Sequence, residues 1–356
     1  MSEEFAHSET HAGASTAAGV VEDLSTLGVV AIGRNEGDRL KRCLRSLVSQ
    51  VDRVVYVDSN STDDSVEFAE SIGVEVITLD LSVPFTAARA RNAGYERLLE
   101  ESPDLEFVMF LDGDCEVVDS WFHTGVHHLR EKPKLGVVYG RRDERYPEAS
   151  VYNRLCDMEW NPEPGEVPAC GGDSLFRVAA FEEAGRFDST FIAGEEPELS
   201  VRVRECGWTL EHLDVAMTIH DAAMTRFKQW WRRSERAGHA YAEGAARHGR
   251  SEFRHNVRPV RRIIFWGLLV PPTTLTAAAG AALWPPLAFV AVGCLLAYGL
   301  LGYRVFRWRR SRGDAASHAI TYAAFTVLGK LPEAKGLLSY RWNRVKGTRR
   351  RLIEYK

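Results

Sequence analysis

Paired cysteines are missing from this sequence of 356 residues. The six cysteines are scattered without C-x-x-C pairs or short regular spacing, at Cys43, Cys115, Cys156, Cys170, Cys206 and Cys294. This distribution argues against a zinc site and against a disulfide framework. We therefore expect a reducing compartment.

The first residues lack the features of a signal peptide. Residues 1–26 are acidic and rich in Ala, Ser, Thr and His, with neither a basic start nor an apolar run. A segment of this composition has little apolar surface to bury. We expect a disordered leader, followed by a domain on the cytoplasmic side.

Charged residues are absent from one long stretch, residues 263–303. Its length of about 40 residues equals two spans of ~20 residues, each enough to cross a bilayer. Pro285 and Pro286 at the centre predict the turn of a hairpin, whereas Pro271 and Pro272 predict a kink or break. Both ends are basic, which places them in the cytoplasm. A re-entrant or interfacial hairpin is the alternative.

The net charge of −4 conceals an asymmetry along the chain. From Arg304 onward there are 14 Lys and Arg against three Asp and Glu, a net +11 that leaves −15 for everything before. A basic tail binds nucleic acid or anionic lipid, and the adjacent apolar stretch decides for lipid. We expect a membrane partner and no nucleic acid. Residues 315–331, apolar but interrupted by His318 and Lys330, are expected to lie in the membrane interface.

Short apolar, β-branched runs alternate with segments of helical spacing in the first part of the chain. The predicted strands are residues 29–32, 53–57, 74–79 and 107–111, and the predicted helices are residues 40–48, 63–71 and 85–100. This alternation predicts an α/β fold with a doubly wound, mainly parallel sheet flanked by helices. Asn35, Asp58 and Asp112 follow strand ends, so such a sheet gathers them in one crevice. Residues 141–167 are less regular.

Two carboxylates separated by one residue follow the fourth predicted strand, in Leu111-Asp112-Gly113-Asp114. Hard oxygen ligands at such a turn suit Mg²⁺ or Mn²⁺, which holds a diphosphate and neutralises charge as the diphosphate leaves. Taken alone, the segment also describes a solvated Asp/Gly turn. Its context favours the metal site.

That context is a set of four segments in order along the predicted crevice. They are Ile32-Gly33-Arg34-Asn35-Glu36-Gly37, Tyr56-Val57-Asp58-Ser59-Asn60-Ser61-Thr62-Asp63-Asp64, Ala90-Arg91-Asn92-Ala93-Gly94 and Leu111-Asp112-Gly113-Asp114. Together they resemble the family 2 glycosyltransferases of the GT-A fold, from about residue 29 to about residue 249. We accordingly divide the chain into a leader (1–26), a GT-A domain (27–250), a membrane hairpin with basic flanks (251–310) and a basic interfacial tail (311–356).

The resemblance implies a nucleotide-diphosphate sugar as donor. It implies donor contacts from Asn35, Glu36, Asp58, Arg89, Arg91, Asn92 and Asp112. Asp58 and Glu36 offer acceptors for a base N–H and ribose hydroxyls, and Arg89 or Arg91 could neutralise the diphosphate. The alternatives are a helix cap for residues 59–64 and a solvated helix face for the two arginines.

A further cluster of carboxylates lies in Gly194-Glu195-Glu196-Pro197-Glu198. This segment resembles a Glu-Asp pair of related transferases. The second carboxylate of that pair is the general base toward the acceptor hydroxyl, which implies inversion at the anomeric carbon. Here the second member is Glu196 instead of Asp, so Glu195 and Glu196 are both candidates, with Glu196 favoured. The alternative is that these residues only complement a helix N-terminus.

The resemblance also extends to the acceptor side and to a third metal ligand. Gly172 and Asp173 resemble the acceptor-side loop of the family, with a glycine turn leading into an edge strand as the alternative. His220 matches the place of a third metal or diphosphate contact, a nitrogen ligand better suited to Mn²⁺ than to Mg²⁺.

Gln229-x-x-Arg232 is similar to the Gln-x-x-Arg-Trp motif of processive membrane glycosyltransferases, whose Trp stacks on an acceptor sugar. Arg233 replaces that Trp, so processive polymer synthesis is not supported. The alternative is an amphipathic helix, from Phe227 to about Arg247, that lies on the domain or the membrane.

The sequence thus predicts a membrane-anchored, metal-dependent, inverting glycosyltransferase with a lipid-linked or glycan acceptor, as in exopolysaccharide, cell-wall or glycolipid assembly. One alternative is a nucleotidyltransferase, but residues 32–37 lack the basic, Gly-rich loop that cradles a triphosphate. The other is a non-catalytic nucleotide-sugar sensor, against which the carboxylates of Asp112, Asp114 and Glu196 argue.

Overall fold

A computed structural model of the protein describes residues 22–80 and 82–347. Most of the predicted leader, residues 1–21, and residues 348–356 of the predicted tail lie outside these described residues. The strands are β1 (Leu27–Gly33), β2 (Val54–Asp58), β3 (Glu75–Thr78), β4 (Phe107–Asp112), β5 (Cys115–Val117), β6 (Leu135–Glu144), β7 (Gly165–Glu166), β8 (Ser174–Arg177) and β9 (Thr209–His220). The helices are α1 (Asp38–Val48), α2 (Ser65–Ser71), α3 (Ala87–Glu101), α4 (Trp121–Glu131), α5 (Val151–Trp160), α6 (Val178–Glu183), α7 (Glu195–Glu205), α8 (Phe227–His248), α9 (Val257–Ile263), α10 (Val270–Gly280), α11 (Leu287–Ser311) and α12 (Ala316–Lys346).

The four predicted strands and three predicted helices of the first part are confirmed as β1 to β4 and α1 to α3. Their bounds agree within about two residues, the ordinary uncertainty of element ends. Strands β1, β2 and β4 are buried on both faces because helices cover the sheet on both sides, and this explains their continuous apolar runs. Strand β3, at the edge of the sheet, is only partly buried. The less regular region after residue 141 contains the helix α5, which the sequence analysis did not predict.

The parallel part of the sheet places three strand ends side by side. Strand β1 pairs in parallel with β2 and with β4, and β2 pairs in parallel with β3. In this register Gly33 lies beside Asp58, and Ile32 lies beside Asp112. The carboxyl ends of β1, β2 and β4 therefore meet at one edge of the sheet.

The second half of the sheet adds antiparallel pairs. The strand order is β3-β2-β1-β4-β8-β6-β9-β5, with β7 paired to β9. Strand β8 pairs antiparallel with both β4 and β6, while β6 and β9 pair in parallel. The predicted doubly wound, mainly parallel sheet flanked by helices is confirmed. The alternative of an edge strand after Gly172 is wrong, because β8 has neighbours on both sides.

An aromatic cluster forms the core directly behind these strand ends. It consists of the rings of Tyr95, Phe110, Phe176, Phe181 and Phe187, all of which are buried or nearly so. The centroids of Phe110 and Phe187 are 5.0 Å apart, in the edge-to-face geometry that aromatic pairs prefer. The cluster joins β4, β8 and α6 into one rigid support.

Two helical segments after α8 are long and apolar enough to cross a membrane, namely Val257–Gly280 and Leu287–Ser311. The first combines α9, a π-helical stretch at Ile264–Leu269 and α10. Pro271 and Pro272 stand just after the π-helical stretch, as expected for residues that remove helix hydrogen bonds and clash with the preceding turn. The predicted hairpin turn at Pro285 and Pro286 lies between the two segments.

Helix α12 packs along α8, and the two helices approach closely at paired glycines. A Cβ atom on Gly238 would lie 2.0 Å from the carbonyl oxygen of Glu333, and one on Gly336 would lie 2.0 Å from that of Glu235. Neither position has room for a side chain. The predicted basic tail therefore begins with a helix attached to the α/β domain, and its location in a membrane interface stays a prediction.

Candidate active site

The loops after β1 and β2 form one connected wall of the crevice. Asp58 is buried, and its carboxylate accepts hydrogen bonds from the Tyr56 hydroxyl at 2.9 Å and the Ser61 amide at 2.8 Å. Asn35 accepts one from the Thr62 amide at 2.7 Å, while its own amide donates to the Ser61 hydroxyl at 2.9 Å. The two loops are thus held together by the residues that the sequence analysis assigned to donor binding.

The carboxylates of Asp112 and Asp114 differ in exposure. The Asp112 side chain is 33% exposed at the end of β4, whereas that of Asp114 is 3% exposed. The Asp112 amide donates to Oδ1 of Asp173 at 3.1 Å, which holds this strand end in place. Asp112 is therefore the carboxylate of the pair that is accessible from the crevice, and Asp114 is the buried one.

A single buried guanidinium joins Asp112 to the carboxylates of α7. Arg91 donates to Oδ1 of Asp112 at 2.9 Å and to Oε1 of Glu195 at 3.0 Å, and it lies 2.9 Å from Oε1 of Glu196. Its guanidinium also lies over the ring of Phe187 at 5.5 Å. Burial lowers the pKa of Arg91, but the three carboxylates outweigh burial and raise it above its ordinary value.

The three glutamates at the start of α7 have different surroundings. Glu195 and Glu196 face Arg91, whereas Glu198 accepts hydrogen bonds from Arg202 at 2.8 Å and His248 at 2.8 Å. Burial and the neighbouring Glu195 charge raise the pKa of Glu196 to about 7, against the lowering effect of Arg91. A carboxyl group with a pKa near neutrality is suited to accept a proton at physiological pH.

His220, the last residue of β9, lies between two carboxylates. Its Nε2 is 3.3 Å from Oδ2 of Asp114, and its Nδ1 is 3.2 Å from Oε2 of Glu144. Burial and the Arg142 charge lower the pKa of His220, but Asp114 and Glu144 outweigh them and raise it. Glu144 also accepts from Asn153 at 3.1 Å, so its carboxylate orients the imidazole from a firmly held position.

Arg142 of β6 supplies a second, partly buried guanidinium to the cluster. Its Nε lies 3.3 Å from Oδ2 of Asp173, and its Nη2 lies 3.6 Å from Oδ2 of Asp112. Its guanidinium also covers the ring of Trp160 at 4.9 Å. Asp112 thus lies between Arg91 and Arg142.

The cluster has an excess of negative charge. Among the described residues, six carboxylates are connected through these contacts to two guanidinium groups and one imidazole: Asp112, Asp114, Glu144, Asp173, Glu195, Glu196, Arg91, Arg142 and His220. Buried charge of one sign is neutralised by protons or by a bound cation.

Asp114 and His220 are spaced as two ligands of a divalent cation would be. Two ligand atoms bound at about 2.1 Å in octahedral geometry lie about 3 Å apart. The 3.3 Å between Asp114 and His220 is close to this separation. Asp112, with its more open carboxylate, is not part of the group of ligand atoms within 4.8 Å of one another that Asp114 and His220 belong to. The Sγ atom of Cys115 also lies within 4.8 Å of both buried ligand atoms. Burial raises the pKa of Cys115 well above its ordinary value, so its thiol is a hydrogen-bond donor to Asp114, not a ligand for a hard cation.

Gly172 provides space at the centre of the cluster. A Cβ atom at this position would lie 2.8 Å from Nη2 of Arg91 and 2.8 Å from Oδ2 of Asp112. The neighbouring Asp173 is buried and accepts from the Asp112 amide and from the Thr218 hydroxyl at 3.2 Å. Both residues predicted for the acceptor side therefore contact or support the Arg91–Asp112 ion pair.

Four other predicted site residues are engaged elsewhere or exposed. Arg89 donates to the carbonyl oxygens of Asp80 and Val83. Asn92 donates to the carbonyl oxygen of Phe187 at 2.8 Å and accepts from its amide at 3.2 Å. The Gln229 side chain caps α8, because its Oε1 accepts from the amides of residues 225 and 226. Arg232 is exposed on α8.

Glu36, the remaining residue assigned to the donor side, pairs at 2.7 Å with Arg39 in the first turn of α1.

Sequence reasoning missed Arg142, Glu144 and Trp160. The first two stand two residues apart in β6 and therefore face the same side of the sheet. No alternating signal in the sequence singles them out, because positions 141–144 are all charged. The parallel pairing of β6 with β9 brings Glu144 beside His220.

The family model described as Glycosyl transferase family 2 matches residues 29–184, which contain β1 to α6. Among curated proteins, a pre-mycofactocin glycosyltransferase of Mycobacterium tuberculosis is 26% identical over 235 residues, covering 62% of this chain and 47% of that protein. The chain thus spans about half the length of the curated relatives that head this comparison. An uncharacterized glycosyltransferase of Rickettsia felis is 41% identical over 54 residues, 15% of this chain and 19% of that protein.

Among solved structures, the chain is similar to a mannosyltransferase, PcManGT from Pyrobaculum calidifontis, in complex with GDP-Man and Mn²⁺. The TM-score is 0.53 at 18% identity, over 84% of this chain and 86% of that one. At this identity the similarity shows the fold alone. The predicted GT-A fold is confirmed.

Proposed function

We propose, from the premise that this chain carries a glycosyltransferase family 2 domain, that it transfers a sugar from a nucleotide-diphosphate donor to a hydroxyl group of a membrane-associated acceptor. One observation carries this proposal. The buried Arg91 contacts both Asp112, the most open carboxylate of the cluster, and the pair Glu195 and Glu196 at the start of α7. A donor-side carboxylate and a carboxyl group with a pKa of about 7 therefore share one guanidinium.

The donor is proposed to lie along the ends of β1, β2 and β4. Asp58, Asn35 and Glu36 line the loops of this crevice and offer oxygen acceptors to the base and ribose. Arg91 is better placed than Arg89 to face the diphosphate, because it contacts Asp112. In this proposal Arg89 and Asn92 act indirectly, by holding the loops on either side of the donor.

The cation is proposed to be held by Asp112, Asp114 and His220, with Mn²⁺ favoured over Mg²⁺ by the imidazole nitrogen. When bound, such a cation supplies positive charge to the diphosphate oxygens. Other residues of the protein hold these ligands in place. Glu144 holds the imidazole, and Asp173 holds the backbone of Asp112.

Glu196 is proposed as the general base, with Glu195 as the alternative. Its carboxylate accepts the proton of the acceptor hydroxyl as the acceptor oxygen bonds to the anomeric carbon and the bond to the diphosphate oxygen breaks. Displacement of this kind inverts the anomeric configuration. The raised pKa strengthens the carboxylate as a proton acceptor while leaving it substantially ionised near neutral pH.

The apolar segments Val257–Gly280 and Leu287–Ser311 are proposed to anchor the enzyme in the cell membrane. The arginines that flank them favour a catalytic domain on the cytoplasmic side. Such an anchor suits an acceptor that is itself in the membrane or delivered to it, such as a lipid-linked sugar or a growing glycan.

The first test is a donor screen on the detergent-purified protein. Release of nucleotide diphosphate and thermal shift are measured for UDP-, GDP- and dTDP-sugars with Mn²⁺, Mg²⁺ or EDTA, with membrane lipid extract as acceptor. We expect one donor to stabilise the protein and to turn over only with metal. NMR of the product then reports whether the anomeric configuration is inverted.

Variants assign the roles within the same screen. Glu196→Gln should lower turnover about 100- to 10,000-fold without weakening donor binding, and Asp114→Ala should abolish the metal-dependent turnover. Glu205→Gln, at the exposed far end of α7, is the matched control and should leave turnover unchanged. Donor binding without any turnover would instead indicate a sensor, and consumption of a nucleoside triphosphate would indicate a nucleotidyltransferase.

A further inference from the structure

The end of α11 reaches back to the α/β domain and contacts the end of α5. Arg309 is buried, and its Nη1 donates to the carbonyl oxygen of Met158 at 2.8 Å. Arg312 donates from Nη2 to the carbonyl oxygen of Asn161 at 2.8 Å. These two contacts join positions about 150 residues apart in the sequence.

Both acceptors belong to the carboxyl end of a helix. The last four carbonyl groups of an α-helix have no partner within the helix, and the macrodipole places negative charge there. Met158 lies in the last turn of α5, and Asn161 is its C-cap residue. Arg309 and Arg312 therefore cap α5 from the far end of the hairpin with hydrogen-bond donors. Their charges are paired with those of Asp314, at 2.5 Å, and Glu163, at 3.5 Å, respectively.

The capped end of α5 is also a wall of the candidate active site. The ring of Trp160 packs edge-on against the imidazole of His220 at 4.4 Å and lies under the guanidinium of Arg142 at 4.9 Å. The side chain of Asn161 pairs with the backbone of Arg142 in both directions, at 3.0 Å and 3.2 Å. A shift at the end of α5 would therefore move the two groups that contact Asp112 and Asp114.

We propose that Arg309 and Arg312 are positioning residues of the active site, acting through the cap of α5 to hold Trp160 and Asn161 against His220 and Arg142. The hairpin then orders the catalytic centre as well as anchoring it. The effect on turnover rests on the proposed glycosyltransferase function, whereas the effect on the order of α5 does not.

The test uses the full chain in detergent or nanodiscs, with the variant Arg309→Ala/Arg312→Ala. Arg307→Ala is the matched control, because it removes the same charge from an exposed position on the same helix. Hydrogen exchange needs no ligand, and it should accelerate in the double variant over residues 140–146 and 154–163. The amide of Arg142 is a direct reporter, since it donates to the side chain of Asn161. Exchange over residues 87–101 should not change.

Manganese affinity, measured by electron paramagnetic resonance without donor, is the second readout. Substitution of a residue that holds a metal ligand in place weakens metal binding about 10- to 100-fold, and these arginines act on such residues only indirectly. We expect the double variant to bind Mn²⁺ about three- to tenfold more weakly, and Trp160→Ala to do the same. If both act by one route, the combined variant should be no weaker than Trp160→Ala alone.

Two further experiments separate positioning from general destabilisation. Arg309→Lys, introduced alone, keeps a donor and a positive charge, so it should retain most of the wild-type Mn²⁺ affinity. A cavity of about 360 Å³ lies beside the cap, lined in part by Met158, Trp308 and Tyr322. Free guanidinium at low millimolar concentration should enter it and restore affinity to the double variant, whereas sodium chloride at equal ionic strength should not.

The proposal is overturned if the double variant lowers thermal stability but leaves exchange over residues 140–146 and Mn²⁺ affinity at wild-type values. It is also overturned if Arg307→Ala has the same effects. A wild-type protein that binds no Mn²⁺ would refute the proposed metal site instead, and the exchange experiment would still decide whether the hairpin orders α5.

Discussion

The α/β domain and the hairpin relate to their surroundings in opposite ways. The domain buries charged side chains such as Arg91, Asp114 and Glu195 at its centre. The hairpin exposes large apolar ones, with Leu283 92% and Phe289 81% exposed. In a protein surrounded only by water, both observations are exceptions, because charge is normally outside and extended apolar surface inside. Together they are consistent with a chain that meets two solvents, since its charged centre is buried and its apolar helices present a surface that suits lipid.

We expect the greatest loss of stability from removing a buried charge. Arg91→Met leaves Asp112, Glu195 and Glu196 without their shared guanidinium, and removing one partner of a buried ion pair costs about 3–5 kcal/mol. We expect the free energy of unfolding to fall by that amount at neutral pH. The deficit should shrink as the pH is lowered, because protonated carboxyl groups no longer need the positive charge.

The matched control for this experiment is Arg89→Met, two residues away. Its side chain donates to loop carbonyl oxygens at a partly exposed position, so we expect a loss of only about 1 kcal/mol. Denaturant unfolding of both variants across pH measures the difference. Equal losses at every pH would contradict the assignment of Arg91 to a charge cluster.

A smaller effect is expected when a charge is placed on the apolar surface of the hairpin. Leu296 is exposed near the middle of the apolar part of α11, and aspartate at the centre of a membrane helix costs about 2.5–3.5 kcal/mol of insertion free energy. Leu296→Asp should therefore weaken partition into lipid vesicles while leaving the α/β domain folded, as judged by flotation and circular dichroism.

Val345→Asp serves as its control, because Val345 is also exposed but lies near the end of α12, outside the apolar segments. It should float with vesicles like the wild type. A result in which Leu296→Asp floats as well would argue that the hairpin does not enter the bilayer core.

The weakest of these effects is expected from a change in the pKa of Glu196. Since the pKa of Glu196 is raised to about 7, kcat/KM should rise with pH and level off above pH 7. Glu195→Gln removes a neighbouring negative charge, so the pKa of Glu196 should fall toward its ordinary value of 4.5. We expect the acid limb of the pH profile to move down by about one unit, equivalent to about 1.4 kcal/mol.

Stability gives an independent measure of the same shift. A carboxyl group whose pKa is raised on folding binds its proton more tightly in the folded state, so stability falls as the pH rises from 4.5 through 7. This decline should be smaller in Glu195→Gln. An acid limb that does not move in the variant would exclude Glu196 as the group that controls it.

Some parts of the structure could be predicted from the sequence and others could not, for a physical reason. Strands β1 to β4 and helices α1 to α3 follow from local periodicity, and parallel pairing then places Asp58 and Asp112 together. The partners of Asp112 depend on tertiary contacts instead. Arg142 reaches it from β6, and the predicted acceptor residue Asp173 is turned inward to hold its backbone.

The same limit applies to α8. Gln229 matches a known motif by spacing, yet its side chain is used by the backbone at the start of the helix. The spacing of residues along a chain does not show whether a nearby backbone amide already donates to the side-chain oxygen of Gln229. The hairpin, by contrast, was predictable from composition alone, because a stretch without charge needs no particular partner to be recognised.

The close crossing of α8 and α12 bears on the order of events during synthesis. Gly238 is made before the hairpin and Gly336 after it, and the close approaches of Gly238 to Glu333 and of Gly336 to Glu235 bracket the apolar segments. Domains generally fold as they emerge from the ribosome. The α/β domain can thus begin to fold before residues 263–303 are made, whereas the crossing can form only after α12 has been synthesised. A chain in which this crossing has formed has therefore been synthesised at least as far as α12.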